Sequence, residues 1–298
     1  MPNTRAAPTI DITAVRRCAA WLAGLALCAI AAPAAAQGTP TSDRVLRIGV
    51  LPNISARVLF ANYEPFVRYI ERTNGRPSEL ATAPNFKAFH ENTVRGDYDL
   101  VITAANLGRV AELQGGLVSI AVYEPSIIAL AITAKDRPLK SINDLRGKTV
   151  ALSNPQSLVA LAGHGWLRAG GLLEGKDYKT LHTPNDDSLG LALRSGETPL
   201  AIMSTPEFRQ IGEDVKKDLT IFESFATVPG FFVLSKTKER GGDPEAMKNH
   251  LAAFAASKEG QQFFGTTGLK AIRPITDADR ASVDPYVDPT RRRLAAPD

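Results

Sequence analysis

The residue types that most often carry out chemistry are few in this chain, and their spacing does not assemble a reactive site. The four histidines are His90, His164, His182 and His250, and no two of them have a metal-ligand spacing such as HxxxH. The motifs GxGxxG, GxxxxGK(S/T) and GxSxG, which bind nucleotides or present a nucleophilic serine, are absent. We therefore expect no metal, no cofactor and no catalysis.

A polar turn before a predicted helix offers a different chemistry, the binding of an anion. Ser153, Gln156 and Ser157 lie in the run SNPQS, and the helical stretch that follows reaches Ala169. Backbone N–H groups at a helix start and the helix dipole attract an oxyanion, and hydroxyl groups add donors. Ser157 could equally act only as the N-cap of that helix.

The first 36 residues are typical of a secretory signal peptide. A head with three arginines is followed by an apolar run from Cys18 to Ala32 and by a run of three alanines that ends at Ala36. The apolar run is shorter than the ~20 residues that cross a bilayer. We expect cleavage after Ala36 and a periplasmic location. Both cysteines would then be removed, and lipid attachment at Cys28 is the alternative.

Composition excludes several classes of protein. Of the 298 residues, 44% are hydrophobic and 22% are charged, which argues against a disordered, collagen-like or coiled-coil chain. The 35 basic and 31 acidic residues are too evenly balanced for a typical nucleic-acid-binding protein. The one basic cluster, at 291–293, is interpreted as a solvated tail. We expect no nucleic-acid partner and a monomer.

Short apolar runs alternate with helical stretches, which predicts α/β architecture. The predicted strands with the clearest apolar runs lie at 45–51, 99–104 and 126–134. A self-contained α/β block at 135–228 interrupts two segments that are each incomplete alone. We therefore expect two lobes, one formed by 45–130 with 230–298 and one by 131–229, joined by two chain crossings near 126–134 and 228–236.

Two helices and an extended tail are predicted in the last third of the chain. Pro206 predicts the start of a charged helix that runs to about 217. A single long helix is predicted from 243 to about 264. The tail after Gly268 is predicted to be extended.

Five sequence segments, taken in order, resemble the periplasmic phosphonate/phosphite/phosphate-binding proteins of ABC importers. They are RIGVLPN at 47–53, YEPFVRYIERTNG at 63–75, RGDYDLVIT at 95–103, SIIALAITAKDRPLKSINDLRGKTVAL at 126–152 and NPQS at 154–157. The resemblance implies the two-lobed type II periplasmic binding protein fold, with two crossing strands as its hinge. It also implies a small-molecule ligand in the cleft and, as partners, an ABC transporter permease with its ATPase.

The resemblance also implies positions for the ligand contacts. Phe86 stands where the family has an aromatic residue after the second strand, and Thr103 stands at the end of the third strand. The family's anion site matches the turn that contains Ser153, Gln156 and Ser157. Asp186 lies in the stretch where the family has a histidine, and it either faces the ligand, where its carboxylate would repel a dianion, or caps the helix that starts at Ser188. Phe231 lies near the second crossing, where the family has a carboxylate.

These positions depart from the family pattern in one direction. Leu158 and Ala160 replace residues with hydroxyl groups, so the anion site has fewer hydrogen-bond donors. Aromatic residues lie at the second crossing. We expect a ligand with an organic body and one anionic or polar head rather than inorganic phosphate. Arg57 is the nearest basic candidate for pairing with that head, or it is a solvated loop residue. A sensor module for a membrane kinase, or an exported enzyme on the same scaffold, is the alternative.

Overall fold

The computed structural model describes residues 44–152, 154–183 and 186–296, without the side chains of residues 186 and 187. The strands, in chain order, are β1 (Leu46–Val50), β2 (Ser78–Ala81), β3 (Leu100–Thr103), β4 (Leu117–Glu124), β5 (Ile127–Ala134), β6 (Lys148–Leu152), β7 (Tyr178–His182), β8 (Leu200–Ser204), β9 (Leu219–Val228), β10 (Phe232–Lys236) and β11 (Ala271–Pro274). The helices are α1 (Ala56–Asn74), α2 (Phe86–Arg95), α3 (Ala105–Leu113), α4 (Leu158–Ala169), α5 (Asp186–Ser195), α6 (Thr205–Gln210), α7 (Glu213–Lys216), α8 (Pro244–Ala256), α9 (Lys258–Thr267), α10 (Asp277–Val283) and α11 (Val287–Ala295).

The strands form two separate sheets, and we call each sheet with its helices a lobe. Lobe 1 has the strand order β11-β4-β10-β3-β1-β2, and lobe 2 has the order β7-β6-β8-β5-β9. The chain passes from lobe 1 to lobe 2 between Glu124 and Ile127, and it returns between Val228 and Phe232. Ile127 pairs with Val228 in the antiparallel β5–β9 ladder, so the two crossings run side by side. The residue boundaries predicted for the lobes stay a prediction.

In each sheet, the carboxyl ends of the parallel strands lie at the edge that faces the other lobe. β1 is parallel to β2 and β3 in lobe 1, and β6 is parallel to β7 and β8 in lobe 2. β3 lies inside this mixed sheet, parallel to β1 and antiparallel to β10, and it is buried along its whole length. The carboxyl ends of parallel strands lie at one edge, so the loops after β1, β3, β6 and β8 are brought together.

Aromatic packing fixes α1 on lobe 1. Its buried residues Leu59, Tyr63, Phe66 and Ile70 follow the helical period, so they share one face. The Phe66 ring meets a phenylalanine of α8 edge to face, with centroids 4.9 Å apart. The helix ends at Gly75, whose φ of 67° is left-handed and favours glycine.

Two helical predictions need correction because each predicted helix is interrupted, the long one at Ser257 and the charged one at Ile211 and Gly212. Ser257 ends α8 and, in extended conformation, caps α9, since its hydroxyl accepts a hydrogen bond from Gly260 N at 3.0 Å. The helix predicted to run from Pro206 to 217 is two short helices, α6 and α7. The sequence did not predict the interruption at Ser257, because the helical spacing of apolar residues continues to Phe264.

The prediction of an extended tail after Gly268 is wrong. The tail forms β11, which pairs with β4, and then α10 and α11. The basic cluster at 291–293 was predicted to be solvated. Arg293 in α11 instead pairs with Glu174, so this prediction is wrong for one of the three arginines. The predicted signal peptide, its cleavage point and Cys28 lie outside the described residues. In the part of the chain that is described, no helix is both long and apolar enough to cross a membrane.

Candidate functional site

A cleft lies between the two lobes and has a volume of about 680 Å³, which includes space open to solvent. Its lining comes from both lobes and both crossings: Leu51, Asn53, Ile54, Phe86, Ala104, Ala105, Ile127, Ser157, Leu158, Val159, Ser204, Pro206, Glu207, Gln210, Val228, Pro229 and Phe231. The carboxyl ends of β1 and β3 open into it from lobe 1, and those of β6 and β8 open into it from lobe 2.

Helix N-termini converge on the cleft because helices follow these strands. α2, α3, α4 and α6 begin at or next to lining residues. The Ser157 hydroxyl caps α4 by accepting a hydrogen bond from Ala160 N at 3.0 Å. Ala104, before α3, makes no side-chain cap, so the first-turn N–H groups of α3 have no capping acceptor from it. The positive ends of several helix dipoles therefore face the cleft.

The polar lining contains a carboxylate but no cation. Ser204 and Glu207 form a capping box at the start of α6, in which the serine hydroxyl accepts from Glu207 N at 3.2 Å and the carboxylate accepts from Ser204 N. Among the described lining residues there is no lysine, arginine or histidine. An anion here would therefore depend on N–H and hydroxyl donors rather than on an ion pair.

Gly230 allows the second crossing to approach the end of β4 closely, and this approach positions Phe231. A Cβ atom on Gly230 would lie 2.2 Å from the carbonyl oxygen of Tyr123, which no side chain tolerates. Tyr123 N donates a hydrogen bond to Phe231 O at 2.9 Å. The backbone of the second crossing is thereby fixed against the end of β4, and Phe231 lies in the lining between the lobes.

Three of the predicted contact residues, Phe86, Ser157 and Phe231, lie together in the lining. Gln156 lies next to it, and its carbonyl oxygen accepts a hydrogen bond at 3.0 Å from an asparagine of α3. Thr103 is buried at the end of β3, outside the set of lining residues. Contact of any of these residues with a ligand stays a prediction.

The three remaining predicted contact residues are not among the described lining residues of the cleft. Arg57 is exposed and lies in the first turn of α1 rather than in a loop, outside the lining set. Ser153 and the side chain of Asp186 lie outside the described residues. Their predicted roles stay predictions.

Sequence reasoning missed four polar lining residues, Asn53, Ser204, Glu207 and Gln210. A signal for two of them was present, because Ser204-Thr-Pro-Glu207 has the spacing of a capping box and follows a buried strand. No cluster of three or more histidine, cysteine or acidic side chains in the described ranges could hold a metal ion.

The fold is similar to that of several periplasmic binding proteins of known structure. The structure of PhnD1 from Prochlorococcus marinus in complex with methylphosphonate matches with a TM-score of 0.71 and 15% identity, over 85% of this chain and 98% of that chain. XAC2383 from Xanthomonas citri, bound to chloride ion, matches with a TM-score of 0.72 and 18% identity, over 84% and 98%. The periplasmic aliphatic sulphonate binding protein SsuA from Escherichia coli matches with a TM-score of 0.61 and 18% identity, over 86% and 95%. These likenesses confirm the type II periplasmic binding protein fold.

Comparison of sequences gives the family. No curated protein is similar enough in sequence to count as a relative. Residues 48–280 match the family model described as ABC transporter, phosphonate, periplasmic substrate-binding protein, which covers well over half of the chain. The chain therefore belongs to the periplasmic substrate-binding proteins of phosphonate ABC transporters, a family of transport proteins that bind solutes, as the resemblance of its motifs predicted.

Proposed function

We propose that the protein captures a small solute with an organic body and one anionic or polar head, closes its lobes over it, and delivers it to an ABC permease driven by an ATPase. The observation that carries this proposal is the unequal lining of the cleft. Lobe 1 lines it mainly with apolar side chains, whereas lobe 2 adds hydroxyl, amide and carboxylate groups. Such a cleft suits a molecule with two unlike ends.

The head would lie against lobe 2. The N-terminus of α4 offers backbone N–H groups, and the Ser157 hydroxyl lies beside them in the lining. Oriented N–H donors and the helix dipole stabilise one negative charge without a cationic side chain. The organic body would then contact Phe86 and Phe231. These contacts would remove its apolar surface from water.

Inorganic phosphate fits this lining poorly. A dianion would lie near the Glu207 carboxylate, and none of the described lining residues carries a positive charge to offset that repulsion. A sulfonate, a carboxylate or an alkylphosphonate exposes apolar atoms that the lobe 1 wall can bury. Relatives of this fold bind such heads, since the PhnD1 structure holds methylphosphonate and SsuA is named for aliphatic sulphonates.

The proposal includes export of the chain as a soluble monomer that does not alter its ligand. Residues 1–36 would be a cleaved signal peptide, so that the periplasmic protein begins at Gln37. Sequencing of the N-terminus of protein recovered from the periplasm tests this point. An intact Met1 there would contradict it.

The test of the function is a binding panel read by calorimetry and thermal shift. The panel contains inorganic phosphate, methylphosphonate, a longer alkylphosphonate, an alkanesulfonate and an alkylcarboxylate. At least one organic anion should bind more tightly than inorganic phosphate and raise the unfolding temperature. It should also reduce the radius of gyration in small-angle scattering and be recovered unchanged by mass spectrometry. Tighter binding of inorganic phosphate than of every organic anion, or turnover of the ligand, would overturn the proposal.

A further inference from the structure

We propose that the C-terminal segment 277–296, with Asn106 as its positioning residue, is a third connection between the lobes that holds the cleft closed. It is made without crossing strands, by hydrogen bonds and ion pairs. The inference rests on the proposed function, because lobe closure matters only if the cleft takes a ligand.

The segment is anchored firmly on lobe 1. Arg280 donates to the carbonyl oxygen of Ser119 at 3.0 Å and to the Glu112 carboxylate at 3.3 Å. Arg109 of α3 donates to Asp284 at 2.7 Å. These side chains join α10 and the turn after it to β4 and α3. The segment therefore belongs mechanically to lobe 1.

The end of the segment reaches lobe 2. Arg293 of α11 pairs with Glu174 and lies 3.2 Å from His164 Nε2. Both partners are held by lobe 2 itself, since Thr180 donates to Glu174 at 2.6 Å and His164 Nδ1 lies 2.7 Å from the Tyr178 hydroxyl. Arg293 thus contacts a small preorganised group of side chains on the opposite lobe.

Asn106, a buried residue of lobe 1, contacts both lobe 2 and the C-terminal segment. Its side chain is fully buried in the first turn of α3, and its amide nitrogen donates to Gln156 O at 3.0 Å and to Thr290 Oγ1 at 2.9 Å. Gln156 belongs to the polar turn of lobe 2, and Thr290 belongs to α11. The Thr290 hydroxyl is also fixed, because it donates to Tyr286 O at 2.6 Å. One amide group therefore connects lobe 1, the C-terminal segment and the polar turn of lobe 2.

Opening of the cleft must break some of these contacts. If the segment stays with lobe 1, Arg293 separates from Glu174, and Asn106 separates from Gln156. Buried hydrogen-bonding groups that lose their partners are costly, and Asn106 Oδ1 already has no partner among the described residues. The segment therefore shifts the equilibrium between open and closed forms toward the closed form, before any ligand binds.

The test measures lobe closure in the full protein without ligand. The variants are Arg293→Gln, which removes the ion pair, and Thr290→Val, which removes the acceptor for Asn106 at nearly constant shape. Arg292→Gln, on the exposed neighbouring position, is the matched control. In small-angle scattering, both test variants should have a larger radius of gyration than the wild type, and the control should not. The double variant of Arg293→Gln with Glu174→Gln should add little to either single change.

A second readout uses methylphosphonate as the probe. Its dissociation constant should rise about two- to ten-fold in both test variants, which corresponds to the loss of one hydrogen bond. An unchanged radius of gyration in both test variants, or an equal change in Arg292→Gln, would overturn the inference. If methylphosphonate does not bind, the proposed function is weakened, but the ligand-free scattering still decides this inference. If one test variant fails to fold, the other decides it.

Discussion

The two walls of the cleft differ in chemistry although the strands behind them are arranged alike. In both lobes the wall is formed at the carboxyl ends of parallel strands and at the helix starts that follow. Among the described residues, Asn53 is the one polar side chain of the lobe 1 wall, whereas lobe 2 contributes Ser157, Ser204, Glu207 and Gln210. Backbone topology therefore supplies N–H donors at helix starts on both sides of the cleft. The side chains decide which end of a ligand each lobe receives.

The largest effect is expected from removing an aromatic residue of the lobe 1 wall. Phe86 is 7% exposed, so Phe86→Ala should lower the free energy of unfolding by about 3 kcal/mol, because a large buried side chain leaves a cavity. It should also weaken binding of a longer alkylphosphonate more than that of methylphosphonate. Denaturant unfolding and calorimetry measure the two effects.

Phe225→Ala is the matched control for Phe86→Ala. Phe225 stacks on Trp166 in lobe 2, with ring centroids 4.9 Å apart, and lies outside the lining. It should lower stability without changing the preference between the two phosphonates. An unchanged preference in Phe86→Ala as well would remove the assignment of lobe 1 to the organic body.

His90, a buried histidine of lobe 1, should make the stability of the protein depend on pH. Burial lowers the pKa of His90 from 6.5 to about 4. The unfolded chain therefore binds a proton that the folded chain does not, so stability is full above pH 6.5 and declines as the pH falls toward 4. Between pH 6.5 and pH 5 the loss from His90 should approach about 2 kcal/mol.

His90→Leu should flatten this part of the stability profile, as measured by urea unfolding at each pH. His164 in lobe 2 also has a lowered pKa, mainly from burial, so some slope should remain. His250→Gln, on partly exposed α8, controls for the loss of a histidine. An equal slope in the wild type and in His90→Leu would show that His90 does not titrate in this window.

A smaller effect is expected from the lobe 2 hydroxyl. Ser157→Ala should weaken methylphosphonate binding by about 1–2 kcal/mol if the head contacts the hydroxyl, and it should lower stability by about 1 kcal/mol through loss of the cap. Ser157→Thr retains an acceptor for Ala160 N and separates the two effects. A dissociation constant that does not change in Ser157→Ala would leave this residue as a helix cap only.

The smallest effect is expected from the lobe 2 carboxylate. Glu207→Gln removes a negative charge from the lining but keeps an oxygen that can accept from Ser204 N. Affinity for methylphosphonate should rise about three-fold, and Gln210→Glu, which adds a carboxylate nearby, should lower it. Calorimetry at two salt concentrations measures the change, which should shrink as salt increases. A fall in affinity in Glu207→Gln would contradict the electrostatic account of this wall.

Local pattern was sufficient for many elements of both lobes. The strand predicted at 99–104 is Leu100–Thr103, and the strand predicted at 126–134 is Ile127–Ala134, because a buried strand must be an apolar run. α11 was missed for the opposite reason. Its sequence VDPTRRRLA is largely polar, and it buries only Val287 and Thr290, so its place depends on packing against α3 rather than on its own periodicity.

The sequence by itself determined the α/β class, the order of the segments that identify the family, and the polar turn before α4. These features are encoded locally, in apolar runs, in stop signals such as Gly75 and in capping residues such as Ser157. The tertiary structure alone decided which residues share the cleft. Phe86 and Glu207 lie 121 positions apart in the sequence, yet they line one cleft because two sheets aim their strand ends at each other. Contacts across such distances depend on chain topology, which no local pattern records.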